Sequence, residues 1–346
     1  MSKKYILLLA WMLCACPRTG EMVAPPEPEL SKTAPVSEAV FEHAPEIAFI
    51  GHMWDSYVTV LDVPTMAEVT RIAVPAASAP NIVLAPNERH GFITHQGPSG
   101  VSKADLSNYA ILKTTLLPRD SQPLDIAITP NGKRIFVTLL QDHAVAALDA
   151  ETMTTLAVIP LTDEYDYPSG IVIGSDGKYA FAASLNSGRV HVVKVESLQL
   201  VETIETGFTG VSELVLSRDG KLVIGAATQQ IIVIDARTFD IAAEIQLDYS
   251  PRCVQISIDG SEIVTVGGHF LSIIDAKSLL LVKTLELPHG QQQIGLNRSG
   301  RLAMTTGLKV TLVDLVNQAV LTTTDLGGDR SWGVMFGKPK GFVPRN

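Results

Sequence analysis

The sequence predicts an all-β fold: a seven-bladed β-propeller of four-stranded antiparallel blades, its ring closed by the C-terminal strand joining blade 1. Three observations predict it. A unit of alternating apolar runs and tight turns stands out from Ser121 to Leu161, and two of its turn markers recur about every forty residues. Finally, each end of the array lacks what the other end carries.

Within the unit, Gln122–Thr129 alternates apolar and polar residues as a half-buried strand does. Pro130-Asn131-Gly132-Lys133 then supplies a tight turn in which Asn and Gly accept positive φ. Arg134–Leu139 forms a second run, followed by the polar loop Gln141-Asp142-His143. Ala144–Asp149 makes a third run and Thr154–Leu161 a fourth. A single sheet of this size cannot bury both of its faces alone.

The first marker, the turn after the first strand, falls at Asn87, Asn131, Asp176, Asp219, Asp259, Ser299 and Lys340, in steps of 40 to 45 residues. The second marker, the end of the third strand, falls at Asp62, Asp105, Asp149, Lys194, Asp235, Asp275 and Asp314, in steps of 39 to 45. Two independent markers with one period and seven occurrences each give seven four-strand units, and a propeller protects the edges of such sheets. The array begins at Glu46–Gly51 without a first strand. The segment Ser331–Gly337 supplies a first strand and turn with nothing after them, so it is expected to close the ring as the innermost strand of blade 1, beside Ile47–Asp62.

Of 346 residues, 46% are hydrophobic and 18% charged, enough apolar content for a large core and too much for disorder. A net charge of −9 argues against nucleic acid, whose binding rests on clustered Lys and Arg. Lys3 and Lys4 precede the apolar stretch Tyr5–Ala15, which has signal-peptide dimensions and is too short to span a bilayer. It ends Leu13-Cys14-Ala15-Cys16, which resembles a bacterial lipobox, so residues 1–16 are expected to be a lipoprotein signal with Cys16 the lipidated residue. Residues 17–45, with Pro25, Pro26, Pro28 and Pro35 amid Glu, Ser and Thr, read as a flexible tether, and 46–346 as the propeller. Pro17 after the Cys favours the outer membrane under lipoprotein sorting rules. Cys253 is then alone in the folded body and is expected to be a small buried hydrophobe.

Phe92-Ile93-Thr94, Phe136-Val137-Thr138 and Ile263-Val264-Thr265 each follow the marker turn and precede an Asp-ended strand. Over roughly residues 46–346 the chain resembles the YVTN-type β-propeller repeats of bacterial and archaeal surface and periplasmic proteins. The Asn that follows Thr in that family is replaced here by His95, Leu139 and Gly267. The resemblance implies the fold; relatives include lactonase-like enzymes, haem-d1 domains of nitrite reductases and binding proteins.

Propellers bind ligands on the face carrying the inter-blade and second-to-third-strand loops. By the repeat, His52, His95, His143 and His269 fall in second-to-third-strand loops there. His52 and His95 hold one register, each ten residues before its blade's Asp marker. Arg119, Asp120, Tyr165, Tyr167, Arg252, Arg330 and Trp332 join them from inter-blade loops, and Trp54 from the first blade. The expected ligand-binding set is therefore His52, Trp54, His95, Arg119, Asp120, His143, Tyr165, Tyr167, Arg252, Arg330 and Trp332. Imidazoles at one mouth suit zinc or copper, but no Cys or paired His supplies further ligands, so no metal, cofactor or catalytic set is assigned. Asp163-Glu164-Tyr165-Asp166-Tyr167, the densest acidic-aromatic loop, suits a cation, an amine or a sugar face.

These residues point to a monomeric, envelope-anchored scaffold, periplasmic or surface-exposed. It would hold a small molecule or an envelope protein on its loop-rich face, touch the membrane only through its N-terminal lipid, and bind no nucleic acid. The alternative is a lactonase-like or redox, metal-dependent periplasmic enzyme with its site at the axial channel mouth.

Overall fold

A computed structural model describes residues 46–326 and 331–337. The expected leader (1–16), the tether (17–45), the lipid site Cys16, Arg330 and the turn at Lys340 lie outside the described residues.

Strands account for most of what is described. Blade 1 holds β1 (Ile47–His52), β2 (Tyr57–Asp62) and β3 (Ala67–Ala73). Blade 2 is β4 (Ile82–Leu84), β5 (His90–His95), β6 (Gly100–Asp105) and β7 (Ala110–Leu116). Blade 3 is β8 (Pro123–Ile128), β9 (Arg134–Leu139), β10 (Ala144–Asp149) and β11 (Thr155–Pro160). Blade 4 is β12 (Pro168–Ile173), β13 (Tyr179–Ser184), β14 (Arg189–Lys194) and β15 (Gln199–Glu205). Blade 5 is β16 (Glu213–Leu216), β17 (Leu222–Ala227), β18 (Gln230–Asp235) and β19 (Ile241–Gln246).

The last two repeats correct the expectation of seven separate blades. β20 (Cys253–Ile256), β21 (Glu262–Asp275), β22 (Leu281–Leu296), β23 (Leu302–Gly307), β24 (Val310–Asp314) and β25 (Ala319–Thr324) form one six-stranded sheet. Among the described residues the propeller thus has six sheets, five of four strands and one of six. The physical reason lies in the connections. Where other repeats break for a loop, the chain here stays paired through Gly267-Gly268, with a bulge at the left-handed Gly268 (φ 57°), and through Gly290-Gln291. Gly268 then pairs with Gln291, and Gln291 with Gly307, which fuses the two units. Gly307 permits the close approach, since a Cβ there would lie 2.2 Å from the Gly290 carbonyl oxygen.

The C-terminal strand β26 (Ser331–Gly337) pairs antiparallel with β1, from Ile47 opposite Gly337 to Ile50 opposite Val334. No sheet closes on itself through hydrogen bonds. The inner strands instead touch in succession, β4 to β8, β12, β16, β20, β22, β26 and back to β4, so packing completes the circuit. Apolar clusters fill the spaces between neighbours; Phe92 and Val101 of blade 2 meet Ile135 and Val137 of blade 3 in one of them. Each fully buried Phe, such as Phe49, Phe92, Phe136 and Phe181, contributes roughly 1.5–3 kcal/mol. Cys253 is fully buried in another cluster, and burial raises its thiol well above the ordinary range.

Both sequence markers turn out to be turn chemistry. The marker side chains fold back on their own turns: Asp149 Oδ1 accepts the Glu151 and Thr152 N–H, and Asp235 Oδ1 those of Arg237 and Thr238. The fourth residue after each of the seven markers, from Met66 to Gln318, has φ between 51° and 67°. The Thr of the Phe-Val-Thr triplets joins blades: Thr94 Oγ1 donates to the Leu124 carbonyl (2.9 Å), and Thr138 Oγ1 to that of Ser169 (3.2 Å).

Candidate functional site

His52 and His95 do not sit in loops. They end β1 and β5, and neither has any exposed surface. His52 Nε2 is 2.9 Å from Thr59 Oγ1, and burial lowers its pKa to about 4 against the weaker pull of Asp55. His95 Nδ1 bonds to the Pro98 carbonyl at 2.9 Å, and burial lowers it too. Both are neutral imidazoles built into sheets, so their shared register reports packing. Trp332 is buried in β26, and its carbonyl accepts the Thr306 hydroxyl. Half-buried Arg252 makes backbone bonds to Val266 and Ser212. Trp54 is exposed in the first blade.

The structure does bring His143, Tyr167, Tyr165, Arg119 and Asp120 into one sector, over blades 3 and 4. The segment leading from Arg119 and Asp120 is tied at Ser121 and Gln122 to Gln141 and Leu140, just ahead of His143. His143 has φ 49°, and its carbonyl accepts the Leu161 N–H. Its Nδ1 lies 3.0 Å from the Asp166 carbonyl oxygen, and the Tyr167 ring stands edge-on to the imidazole at 4.8 Å. A carbonyl can only accept, so Nδ1 carries the proton and Nε2 keeps its lone pair. Nε2 has no hydrogen-bond partner among the described residues. Tyr165, Arg119 and Asp120 remain open to solvent.

Beneath them lies a group that sequence reasoning passed over as part of an acidic loop. The Asp166 side chain is fully buried. It accepts hydrogen bonds from Ser187 Oγ (2.5 Å) and Thr162 Oγ1 (3.0 Å). His191 Nε2 lies 3.2 Å from its Oδ1, though without hydrogen-bond alignment, and Arg189 3.5 Å away. Burial works to raise the Asp166 pKa, but Ser187, His191, Thr162 and Arg189 together hold it below the usual carboxylate range. Burial also lowers His191, so the cluster is an ionised carboxylate beside a neutral imidazole.

A second missed group rings the axis. Asn81 Nδ2 donates to Asp125 Oδ1 (3.1 Å) and the Ile171 N–H to Asp125 Oδ2 (2.8 Å), so one carboxylate ties blades 2, 3 and 4. Gln293 Nε2 reaches Glu213 Oε2 at 3.5 Å. Asp125 and Glu213 stand near the ends of inner strands that enter from inter-blade loops, which places them toward the channel mouth. Burial pushes Asp125 up to about 7; burial and then the Asp125 charge raise Glu213 well above the ordinary range. Alternation hid them, because a polar residue in a half-buried strand reads as solvent-facing. Two grooves, of about 600 and 520 Å³, share Lys178 and Tyr179 and open on the opposite face. Among the described residues no three His, Cys, Asp or Glu side chains are grouped to hold a metal.

One of the comparisons with known proteins, a family model, overlaps this sector. The Cytochrome D1 heme domain family matches residues 130–256, about a third of the chain and most of blades 3 to 5. No curated protein matches. Among solved structures, Kuenenia stuttgartiensis hydrazine synthase superimposes with a TM-score of 0.62 at 20% identity, covering 74% of this chain and 86% of that one. Dihydro-heme d1 dehydrogenase NirN in complex with DHE gives 0.62 at 15% identity, over 85% of this chain and 75% of that one. These likenesses establish a β-propeller fold.

Proposed function

We propose that this chain is a cell-envelope propeller that holds a haem-type tetrapyrrole on the loop-rich face of blades 3 and 4, with His143 as the iron ligand, for redox chemistry. The observation that carries the reading is the state of His143. Its Nδ1 is committed to a backbone carbonyl and its Nε2 lone pair has no protein partner, inside the one segment that matches a haem-domain family. That is the donor arrangement of a metal-ligating histidine, which gives its other ring N–H to a carbonyl or carboxylate. The side chains present fit the group: an imidazole for the iron, the Tyr167 ring beside it and the exposed Arg119 cation for a ligand carboxylate. Haem iron held by one such ligand supplies electron exchange or an open coordination position.

This support favours the redox alternative over a passive scaffold. We further propose that the chain reaches the envelope through the leader at 1–16 and a lipid on Cys16, with 17–45 as the tether. Cys16→Ser should then abolish incorporation of labelled fatty acid and release the protein from membranes.

The central test is titration of the purified chain with ferric protoporphyrin IX, and in parallel with extracted d1-type haem. Saturable binding with a shifted Soret or visible band is expected, and His143→Ala should abolish the shift. A spectrum identical to free haem, or equal binding by the variant, would overturn the reading.

A further inference from the structure

The repeat shows what is ordinary in this molecule, and therefore what is not. Three residues before each marker stand Thr59, Ser102, Ala146, His191, Ile232, Ser272 and Thr311. In three of the four repeats with a hydroxyl at the position it pairs across to the outer strand, Ser102 with Thr114 and Ser272 with Thr284 (both 2.8 Å) and Thr311 with Thr323 (3.2 Å), while Thr59 meets His52 on the inner strand. Blade 4 alone has an imidazole there. His191 keeps the cross-strand partner, with Nδ1 3.3 Å from Thr203 Oγ1, and turns Nε2 toward the Asp166 carboxylate. Departure from a local rule at one repeat marks a position recruited for something other than folding.

Asp166 is held from four sides. Thr162 grips it from its own loop, while Ser187, Arg189 and His191 grip it from blade 4. This grip fixes a loop that ends in two groups aimed at His143: the Asp166 carbonyl on Nδ1 and the Tyr167 ring at its side. Two lesser contacts assist it: Arg189 lies 3.5 Å from the half-exposed Asp163 carboxylate, and the Tyr167 carbonyl accepts the Leu185 N–H. Asp163 closes a short internal turn, and Tyr165 projects into solvent.

We infer that Asp166 is a positioning residue: through its buried carboxylate it fixes its own carbonyl against His143 Nδ1, so that Nε2 is the nitrogen presented to a metal. This rests on the proposed function for the identity of the metal, and on the geometry alone for the tautomer. Release of the carboxylate frees the carbonyl, and the imidazole then divides its proton between both nitrogens. Loss of such supporting partners lowers metal affinity by about 10- to 100-fold.

The experiment uses the full chain with ¹⁵N-labelled histidine and two variants, Asp166→Asn, which keeps the shape, and His191→Thr, which restores the hydroxyl found in other repeats. In the wild type, ¹⁵N shifts should show His143 protonated at Nδ1 only. Asp166→Asn should give a tautomer mixture and a 10- to 100-fold weaker Kd for ferric protoporphyrin IX, with His191→Thr between the two. Adding Asp166→Asn to His143→Ala should change residual haem binding no further, whereas a merely loosened fold would weaken it again. An unchanged His143 tautomer in Asp166→Asn would overturn the inference. If the tautomer shifts but the wild type fails to bind the porphyrin, the positioning role stands and the haem reading falls.

Discussion

Replacing Asp125 by Asn should make the propeller progressively more stable than the wild type as pH rises from 4 to 7, with the gain level above that. Asp125 sits by the axis with its pKa raised by burial from 3.8 to about 7. The unfolded chain releases that proton near 3.8, whereas the folded chain keeps it until about 7. The contribution of this group is therefore fully present below the unfolded pKa and is lost as pH climbs through the folded one. A shift of about three units, at about 1.4 kcal/mol each, sets an upper limit of about 4 kcal/mol, and the effective dielectric around buried groups, well above that of dry protein, lowers the realised value to about 2 kcal/mol. At 2–4 °C per kcal/mol, Asp125→Asn should gain roughly 4–8 °C in Tm over the wild type between pH 4 and 8. The amide keeps an acceptor for the Ile171 N–H, and Asn81 can turn its own carbonyl toward the new NH₂. The assay is a pair of calorimetric series, read as the difference between the two proteins. The difference is needed because His52, lowered to about 4, works the other way, adding stability as pH rises from 4 to 6.5. A wild-type curve alone would mix the two slopes. The difference reports Asp125 together with Glu213, whose pKa burial and then the Asp125 charge raise. One that stays flat from pH 4 to 8 would refute the argument, because it would mean that the pair titrates as it does in the unfolded chain.

Three further outcomes follow from the same geometry. Thr138→Val removes the hydroxyl that joins blade 3 to the Ser169 carbonyl and should cost about 1 kcal/mol in chemical denaturation, while Thr138→Ser retains most of it. Asp149→Ala strips acceptors from the Glu151 and Thr152 N–H groups and should cost about 1–2 kcal/mol by the same measurement, whereas Arg119→Ala, a fully solvated side chain, should change stability by less than about 0.5. Cys253, buried and with its thiol pKa raised, should react with a thiol reagent only after denaturant unfolds the chain; labelling of native protein would show that the six-stranded sheet opens.

The fold was legible because its determinants are local and repeated. Each Asp marker closes its own turn, and each Asn or Asp of the first-marker turns accepts the N–H two residues on, as Asn131 does from Lys133. Such signals survive in any tertiary setting. The fusion of the last two repeats was not legible, because it depends on Gly268 meeting Gln291, two residues that no local rule pairs. The site was half legible for a related reason. Counting back ten residues from the marker picked His52 and His95, which the strands bury. Counting back six picks His143 and His269, and both place Nδ1 against a carbonyl, of Asp166 and Leu287. The sequence contained that second register, but nothing in it said which offset escapes burial. Asp125, Glu213 and Asp166 were invisible for a stronger reason: their partners come from other blades, so only the assembled ring defines them.

A seven-times repeated unit also constrains where chemistry can develop. Equivalent positions around a symmetric ring see nearly equivalent surroundings, so a new side chain gains a distinct role only where the surroundings differ as well. Blade 4 meets that condition twice, with an imidazole at the position that elsewhere pairs hydroxyls and an incoming loop that delivers a buried carboxylate to it. Blade 6 carries His269 in the register of His143, yet its carbonyl contact is longer, 3.3 Å against 3.0 Å, and the position equivalent to His191 holds Ser272, which pairs with Thr284. The same imidazole is therefore supported in one place and merely tethered in the other. If transition-metal affinity follows support and not the mere presence of histidine, His269→Ala should leave porphyrin binding unchanged where His143→Ala abolishes it. Equal losses from the two would mean that the blade-specific carboxylate has no part in selecting the site.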